Sequence, residues 1–133
     1  MLPATSEIVI VLPVSIGAAM SQLEASGRGF VVCCDKNKRV KGLLTDGDIR
    51  RAILNGRGLE DQAEEVMTDS FISVKEGSSR EAILKLLDHR IKFVPVLNQD
   101  HILVGVATKE VLSPAEEKQL SYRSKAPVRI SFG

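Results

Sequence analysis

The chain has 133 residues, of which 44% are hydrophobic and 26% charged, a composition typical of a globular protein of about one domain. Its formal net charge is +1, and its only aromatic residues besides histidine are four Phe and one Tyr. Such a chain offers neither a basic surface nor a set of stacking aromatics, which excludes a nucleic-acid-binding protein.

The apolar run Ile8–Leu12 is too short to cross a bilayer, which takes ~20 residues, and it lacks the basic start of a signal peptide. Cys33 and Cys34 are adjacent, and neighbours on a strand point to opposite faces, so we expect two buried thiols and no disulfide. His89 and His101 lack the spacing of metal ligands. We therefore expect a cytoplasmic protein with no membrane attachment and no metal site.

The first half of the chain predicts a strand, a helix, two strands joined by a polar turn, and a second helix. Its first helix has an apolar stripe at helical spacing, formed by Ile16, Ala19, Met20 and Leu23. Its second helix ends at Asn55–Gly56, a pair that terminates helices. The predicted strands are Ile8–Leu12, Phe30–Cys34 and Val40–Leu44, and the predicted second helix is Asp46–Leu54.

The second half predicts the same order of elements. Ser78 with Glu81 three residues later is a capping box, which should start the helix of this half. A further helix is predicted to begin at Ser113, because a proline and an acidic residue follow it at the favoured positions. The predicted strands are Phe71–Val74, Phe93–Leu97 and Ile102–Ala107, and the apolar stripe is Ala82, Ile83, Leu86 and Leu87.

The two halves are copies of each other. Gly42–Thr45 is matched 63 residues later by Gly105–Thr108, and residues 8–49 align on residues 71–112 without a gap, with eight identities in 42 positions. A repeat too small to bury its own core normally packs against its copy, which leaves a cleft at the join. We therefore expect an α/β (α+β) fold of two β-α-β-β-α repeats related by a pseudo-two-fold axis. The predicted segments are a first repeat at 1–56, a connection at 57–68, a second repeat at 69–112 and a linker helix at 113–124.

The segment Thr45–Arg51, where a strand turns into a helix, is the best candidate for binding. The exposed N–H groups and the positive end of the helix dipole suit an anionic or phosphate-bearing ligand there. Gly47 permits close approach to the backbone, and the carboxylate of Asp48 can accept two hydrogen bonds from a ribose diol. Thr45 and Asp48 also match a capping box, which alone would account for both residues. Taken alone, these residues favour capping over binding.

The pattern Gly-hydrophobic-hydrophobic-Thr-x-x-Asp-hydrophobic, at Gly42–Ile49, resembles the motif of the CBS domain, named for cystathionine β-synthase. Glu65–Thr68 and Val94–Val96 fit the same family, and the resemblance extends from about Ile8 to Leu112. Thr45–Arg51 is similar to the CBS pairs attached to sugar-phosphate isomerases and sugar nucleotidyltransferases. The resemblance implies a tandem pair, a Bateman module, which binds adenosine-type or other nucleotides between its repeats and regulates without catalysing.

The resemblance assigns ligand contacts to seven residues, which are Leu43, Thr45, Gly47, Asp48, Phe71, Ile72 and Lys92. Asp48 would hold the ribose hydroxyls, Thr45 would face the ribose or phosphate, and Lys92 would meet phosphate. Leu43 and Gly47 would line the wall, while the pair that opens the second repeat would sandwich the base. In the second copy Val111 replaces the ribose-binding carboxylate, and a valine accepts no hydrogen bond. We therefore expect one functional site per chain.

The last nine residues, 125–133, resemble the opening strand of GHMP-type sugar kinases of the heptose-phosphate kind, which begin Ala-Pro-hydrophobic-Arg-Ile-Ser-Phe-Gly. This resemblance predicts that residues 125–133 start a truncated kinase-like domain, and that the parent chain is a transferase. The glycine loop and catalytic residues of such a kinase are not among these 133 residues. The chain itself is therefore expected to have no enzyme activity.

Three functions follow as hypotheses. The first is a regulatory module, homodimeric by resemblance and without a cofactor of its own, that senses AMP, ADP, ATP or a nucleotide-sugar and controls an attached sugar kinase or sugar-nucleotide enzyme. The alternative is a structural dimerisation module with degenerate clefts. A stand-alone enzyme that uses Asp46 and Asp48 as a cation-binding or acid–base pair ranks last, because no third ligand or nucleophile lies nearby in the sequence.

Overall fold

The computed structural model describes residues 1–88 and 90–109, which form two compact units. The first unit consists of Ala4–Phe71 with Asp100–Ile102. The second consists of Met1–Pro3, Ile72–Gln99 and the described chain from Leu103 onward. The predicted linker helix at 113–124, the kinase-like start at 125–133 and the Val111 position lie outside the described residues.

The first unit is built on a three-stranded sheet in the order β2 (Val9–Val11), β3 (Phe30–Cys34), β4 (Val40–Thr45). The strand β3 runs parallel to β2 and antiparallel to β4. The helix between β2 and β3 is therefore a crossover helix, and β3 and β4 form a hairpin. Two predicted elements, Phe30–Cys34 and Asp46–Leu54, are confirmed to the residue. The elements in chain order are β2 (Val9–Val11), α1 (Ile16–Ser26), β3 (Phe30–Cys34), β4 (Val40–Thr45) and α2 (Asp46–Leu54).

The core of the first unit lies between this sheet and its two helices. The helix α1 is started by Ser15, whose side chain accepts a hydrogen bond from the N–H of Ala18, and it is ended by Gly27 in the left-handed conformation at φ 65°. Met20, a member of the predicted apolar stripe, is 37% exposed and lines a groove between the helices. The buried residues of the core are Ile10, Ile16, Ala19, Leu23, Val31, Cys33, Leu44, Ile49 and Ala63.

The second unit contains a four-stranded sheet in the order β1 (Leu2–Pro3), β7 (Leu103–Thr108), β6 (Phe93–Leu97), β5 (Val74–Lys75). The outer strand β1, which the sequence did not predict, pairs antiparallel with β7, with Leu2 opposite Val106. The helix α3 connects the parallel strands β5 and β6. The elements in chain order are β1 (Leu2–Pro3), β5 (Val74–Lys75), α3 (Arg80–Leu86), β6 (Phe93–Leu97) and β7 (Leu103–Thr108).

The second unit differs from the predictions in three details. The strand predicted at Phe71–Val74 is reduced to Val74–Lys75, because Pro95, the next residue of β6 in that register, has no N–H to donate. The cap of α3 is Ser79 and not Ser78, because the Ser78 hydroxyl donates to the carbonyl of Lys75 at 2.7 Å. The stripe also shifts slightly, since Ala82 is exposed while Ile83 and Leu87 are buried.

The fold class is confirmed as mixed α+β, with two sheets and three α-helices in the described part of the chain. Each unit follows the predicted order of strand, helix and two antiparallel strands. Among these residues no helix is both long and apolar enough to cross a membrane. The pseudo-two-fold relation of the repeats and the segment boundaries stay predictions.

Candidate functional site

The junction between β4 and α2 forms a capping box. Thr45 has extended backbone (φ −122°, ψ 168°), and its Oγ1 accepts a hydrogen bond from the N–H of Asp48 at 3.2 Å. In return, Oδ2 of Asp48 accepts a hydrogen bond from the N–H of Thr45 at 2.9 Å. The capping interpretation of this pair is therefore confirmed, and it uses one of the two carboxylate oxygens of Asp48.

The other oxygen of Asp48 has two partners that the sequence did not indicate. Oδ1 accepts a hydrogen bond from Nη2 of Arg51 at 2.7 Å and a longer one from Oγ1 of Thr68 at 3.4 Å. The side chain of Asp48 is only 10% exposed, whereas that of Arg51 is 68% exposed. Asp48 is thus a recessed carboxylate, paired with an exposed cationic side chain.

Thr68 reaches this site because its backbone pairs with β4. The N–H of Leu43 donates to the carbonyl of Thr68 at 2.9 Å, and the N–H of Thr68 donates back at 2.8 Å. The neighbouring Gly42 allows this approach, since a Cβ there would lie 2.7 Å from Sδ of Met67 and 2.8 Å from the Thr68 carbonyl oxygen. The motif Glu65–Thr68 was recognisable in the sequence, but only the fold shows that its threonine contacts Asp48.

Four of the seven predicted site residues lie together around this junction. Leu43 is half-buried on β4, and Thr45, Gly47 and Asp48 follow it along the chain. Gly47 lies beneath the Arg51 side chain, because a Cβ built on it would be 3.3 Å from Nη1 and 3.7 Å from Oγ1 of Thr45. These positions are compatible with ligand contacts, and the contacts themselves stay predictions.

The other three predicted residues lie elsewhere in the chain. Phe71 is half-buried at the end of the first unit. Ile72 and Lys92 are exposed and belong to the second unit, where Lys92 directly precedes β6. The geometry described for the site therefore concerns the first unit alone.

The two cysteines are inert at neutral pH. Burial raises the pKa of Cys33 to about 12, and the nearby charges of Cys34, Asp48 and Glu64 add to the effect. Burial likewise raises the pKa of Cys34 to about 11. Both thiols stay protonated and are poor nucleophiles and metal ligands in that form. Within residues 1–88 and 90–109 no three His, Cys, Asp or Glu side chains are grouped to hold a metal ion.

A second concave surface lies on the opposite flank of α2. This α1–α2 groove has a volume of about 540 Å³ and an apolar floor that includes Leu23 and Ile49. Glu24, Asp46 and Arg50 give it a charged rim. The groove is lined by Met20, Leu23, Glu24, Gly27, Gly29, Asp46, Ile49, Arg50 and Ile53.

Comparison with proteins of known activity gives relatives of greater length. Arabinose 5-phosphate isomerase GutQ of Salmonella typhi is 34% identical over 97 residues, which are 72% of this chain but only 30% of the isomerase. The chain thus spans less than a third of that relative.

Comparison with solved structures gives neighbours that match most of the chain. The CbpB protein of Listeria monocytogenes, crystallised with c-di-AMP, has a TM-score of 0.72 at 27% identity and covers 94% of each chain. The CBS domain pair of protein MJ0100, crystallised with 5′-methylthioadenosine and S-adenosyl-L-methionine, has a TM-score of 0.66 at 25% identity. That match covers 77% of this chain and 85% of the other. Neither these two proteins nor the isomerase is described as a kinase.

The CBS domain family itself matches two stretches of the chain, residues 4–55 and 63–112. The first stretch contains β2 through α2, and the second contains β5 through β7. Together the two stretches cover well over half of the sequence. The chain belongs to the CBS domain family and carries two copies of the domain in tandem.

Proposed function

We propose that the chain is a regulatory module that binds a nucleotide at the β4–α2 junction of its first unit. The observation that carries this proposal is the recessed carboxylate of Asp48, which lies at a helix N-terminus with one oxygen engaged only by side chains. Those side chains can move, so the oxygen can become available to a ribose diol. The two solved neighbours support the ligand class, since both were crystallised with adenine-containing compounds.

The same junction suits a phosphate group. The first turn of a helix carries N–H groups that have no partner within the helix. The N–H of Asp48 donates to Thr45 in the capping box. The N–H groups of Asp46 and Gly47 can donate to a bound anion, which the positive end of the α2 helix dipole also favours. The resemblance adds Phe71 and Ile72 as proposed contacts of the base and Lys92 as a proposed contact of the phosphate.

Asp48→Asn is expected to weaken this binding. The substitution removes an acceptor and the charge, and hydrogen bonds to a charged group contribute ~1.5–3 kcal/mol, so the dissociation constant should rise at least about tenfold. The dissociation constants are measured by isothermal titration calorimetry with AMP, ADP, ATP, S-adenosylmethionine, CMP, GDP and nucleotide-sugars. Asp46→Asn is the matched control, because it makes the same charge change in the same helical turn but lies on the rim of the α1–α2 groove.

The outcome separates binding from capping. If Asp48→Asn loses affinity while Asp46→Asn keeps it, the carboxylate is a ligand contact as well as a cap. If no nucleotide binds the wild-type chain and Asp48→Asn is only less stable, the chain is instead a structural dimerisation module. In that case Asp48 serves only the capping box and its ion pair with Arg51.

The module is proposed to control an enzyme that acts on sugar phosphates. A ligand that binds one arrangement of the module more tightly than another shifts the conformational equilibrium of the attached enzyme. The coupling free energy between two such sites is typically ~1–3 kcal/mol. The isomerase relative favours a sugar-phosphate isomerase, whereas residues 125–133 favour a sugar kinase of the GHMP type. Assays of the native protein for sugar-phosphate isomerisation and for ATP-dependent phosphorylation, each with and without AMP, decide between the two.

A homodimer is proposed to form through the α1–α2 groove, with a second copy of the chain as its occupant. Large apolar side chains are exposed here, with Met20 37% and Ile53 44% accessible. The rim carries both signs of charge, so a two-fold axis can bring Arg50 of one copy to Glu24 or Asp46 of the other. A self-complementary, partly apolar surface of this kind suits an isologous contact.

Ile53→Lys is expected to convert this dimer to monomers. A lysine in place of this groove-lining isoleucine would replace an apolar contact with a charge that the interface has to desolvate. Well-buried interface contacts commonly contribute ~2 kcal/mol or more, so dimer affinity should fall about thirtyfold. Analytical ultracentrifugation across a concentration series measures the change. Leu54→Lys adds the same charge one residue along, at a 77% exposed position that does not line the groove, and should leave the dimer intact. A dimer that survives Ile53→Lys contradicts this interface.

A further inference from the structure

The guanidinium group of Arg51 covers both points where a nucleotide would enter the site. Its Nη2 is 2.7 Å from Oδ1 of Asp48. Its Nη1 lies 3.3 Å from the position that a Cβ on Gly47 would take. The carboxylate proposed to hold ribose and the glycine proposed to admit the ligand therefore lie beneath one side chain.

The hydrogen-bonding capacity of Asp48 shows that a ligand must compete with this arginine. An ionised carboxylate offers about four acceptor positions. Three of them are engaged, by the N–H of Thr45, by Arg51 and, at the longer distance of 3.4 Å, by the hydroxyl of Thr68. A ribose diol needs two, so one side-chain donor has to leave, and the arginine is also the group that stands over Gly47.

The arginine can leave at little cost. Its side chain is 68% exposed and pairs with Asp48 across three residues of one helix, a type of pair that contributes little to stability. Once released, it is still tethered beside the N-terminus of α2, where the free N–H groups favour an anion. A phosphate bound there would offer the guanidinium a new partner of the kind that arginine binds best.

We infer that Arg51 determines the preference of this site for phosphorylated nucleotides over neutral nucleosides. In the free protein the guanidinium group of Arg51 pairs with the carboxylate of Asp48. When the ribose hydroxyls bind this carboxylate, the guanidinium group leaves it and pairs with the phosphate of the ligand. A nucleoside has to break the same ion pair without offering a replacement. This inference rests on the proposed function and adds to it the residue that makes the phosphate necessary.

The neighbouring Arg50 provides a matched control. It carries the same charge in the same helix, but it lies on the rim of the α1–α2 groove and contacts neither Asp48 nor Gly47 in any interaction found for the described residues. A general loss of positive charge near the helix would affect both variants alike, whereas an exchange of partners requires Arg51.

The experiment measures the affinities of matched nucleoside and 5′-monophosphate pairs, adenosine with AMP, cytidine with CMP and guanosine with GMP, for the wild type, Arg51→Gln and Arg50→Gln. In Arg51→Gln the monophosphate should bind about tenfold more weakly, because a charge-assisted pair is lost. The nucleoside should bind as in the wild type or up to about twofold more tightly, because no ion pair opposes it. Arg50→Gln should keep the wild-type ratio.

Each other result overturns the inference in a recognisable way. If the wild type binds a nucleotide and Arg51→Gln leaves the ratio of monophosphate to nucleoside affinity unchanged, Arg51 does not select phosphate, while the proposed function stands. A nucleoside that binds more weakly to Arg51→Gln also overturns it. If neither the wild type nor Arg51→Gln binds any of the six compounds, the inference is overturned, and the titrations with ADP, ATP, S-adenosylmethionine, GDP and nucleotide-sugars decide the proposed function separately.

Discussion

Leu44→Ala is expected to destabilise the chain by ~2–5 kcal/mol, the range for truncating a buried leucine. Leu44 is fully buried on β4 and packs in the core of the first unit with residues of β3 and both helices, including Ile16 and Ile49. The residues around Leu44 belong to the sheet and to the two helices packed on it, so they can move only partly into the cavity that the alanine leaves. Many domains are stable by only ~5–15 kcal/mol, so this single change removes a large share.

Urea unfolding followed by circular dichroism measures the effect of Leu44→Ala as a change in midpoint at constant slope. The control is Leu54→Ala, the same chemical change on α2 at a position that is 77% exposed. Its effect should stay within ~0.5 kcal/mol, as for most surface substitutions. Equal losses in the two variants would mean that Leu44 is not part of a packed core.

Gly42→Ala is expected to cost ~2–4 kcal/mol, the sum of overpacking and of weakened backbone hydrogen bonds. The added Cβ would lie 2.8 Å from the carbonyl oxygen of Thr68, and backbone cannot turn aside as a side chain can. That carbonyl accepts a hydrogen bond from Leu43, so relieving the contact strains this pairing. Thr68 would also move away from Asp48, which should weaken nucleotide binding at the proposed site.

The repeat provides the matched variant. Gly105→Ala puts a Cβ 2.6 Å from Sδ of Met1 and 2.7 Å from the carbonyl oxygen of Leu2 in the second unit. We expect a similar loss in thermal unfolding without the change in nucleotide affinity. Gly58→Ala, where the nearest atom is the mobile carboxylate of Glu60 at 3.6 Å, should be tolerated. If Gly42→Ala were as stable as Gly58→Ala, the close approach of Thr68 to β4 would be refuted.

Local patterns predicted most of the fold because the decisive residues are close in sequence. The helix Asp46–Leu54 combines a cap, an apolar stripe and a terminating Asn-Gly pair, and its bounds were correct. The prediction of a strand at Phe71–Val74 was wrong because a strand forms only where its neighbour can exchange hydrogen bonds with it. The neighbouring strand β6 contains Pro95, which has no N–H to donate. The strand β1 was missed for the same reason, since two residues show no periodicity and only their pairing with β7 defines them.

The candidate site was predictable only in its local half. Thr45 and Asp48 are three residues apart, so a capping box could be recognised from spacing alone. The contact of Thr68 with Asp48, twenty residues apart, depends on the backbone pairing of Thr68 with Leu43, which no local pattern encodes. The ion pair of Asp48 with Arg51 has a helical spacing, but whether such a pair forms is decided by the exposure and packing of both side chains.

The pairing of β1 with β7 has a consequence for the order in which the chain folds. Leu2 and Val106 lie more than a hundred residues apart, so this ladder closes one of the longest loops that the chain can form. The first unit draws mainly on one continuous stretch, Ala4–Phe71, and can assemble during synthesis before the second is made. Until Leu2–Pro3 docks, one edge of β7 presents unpaired N–H and C=O groups, an open template for other strands. The pairing of Leu2–Pro3 with β7 therefore removes part of an exposed strand edge, which is a common starting point of aggregation.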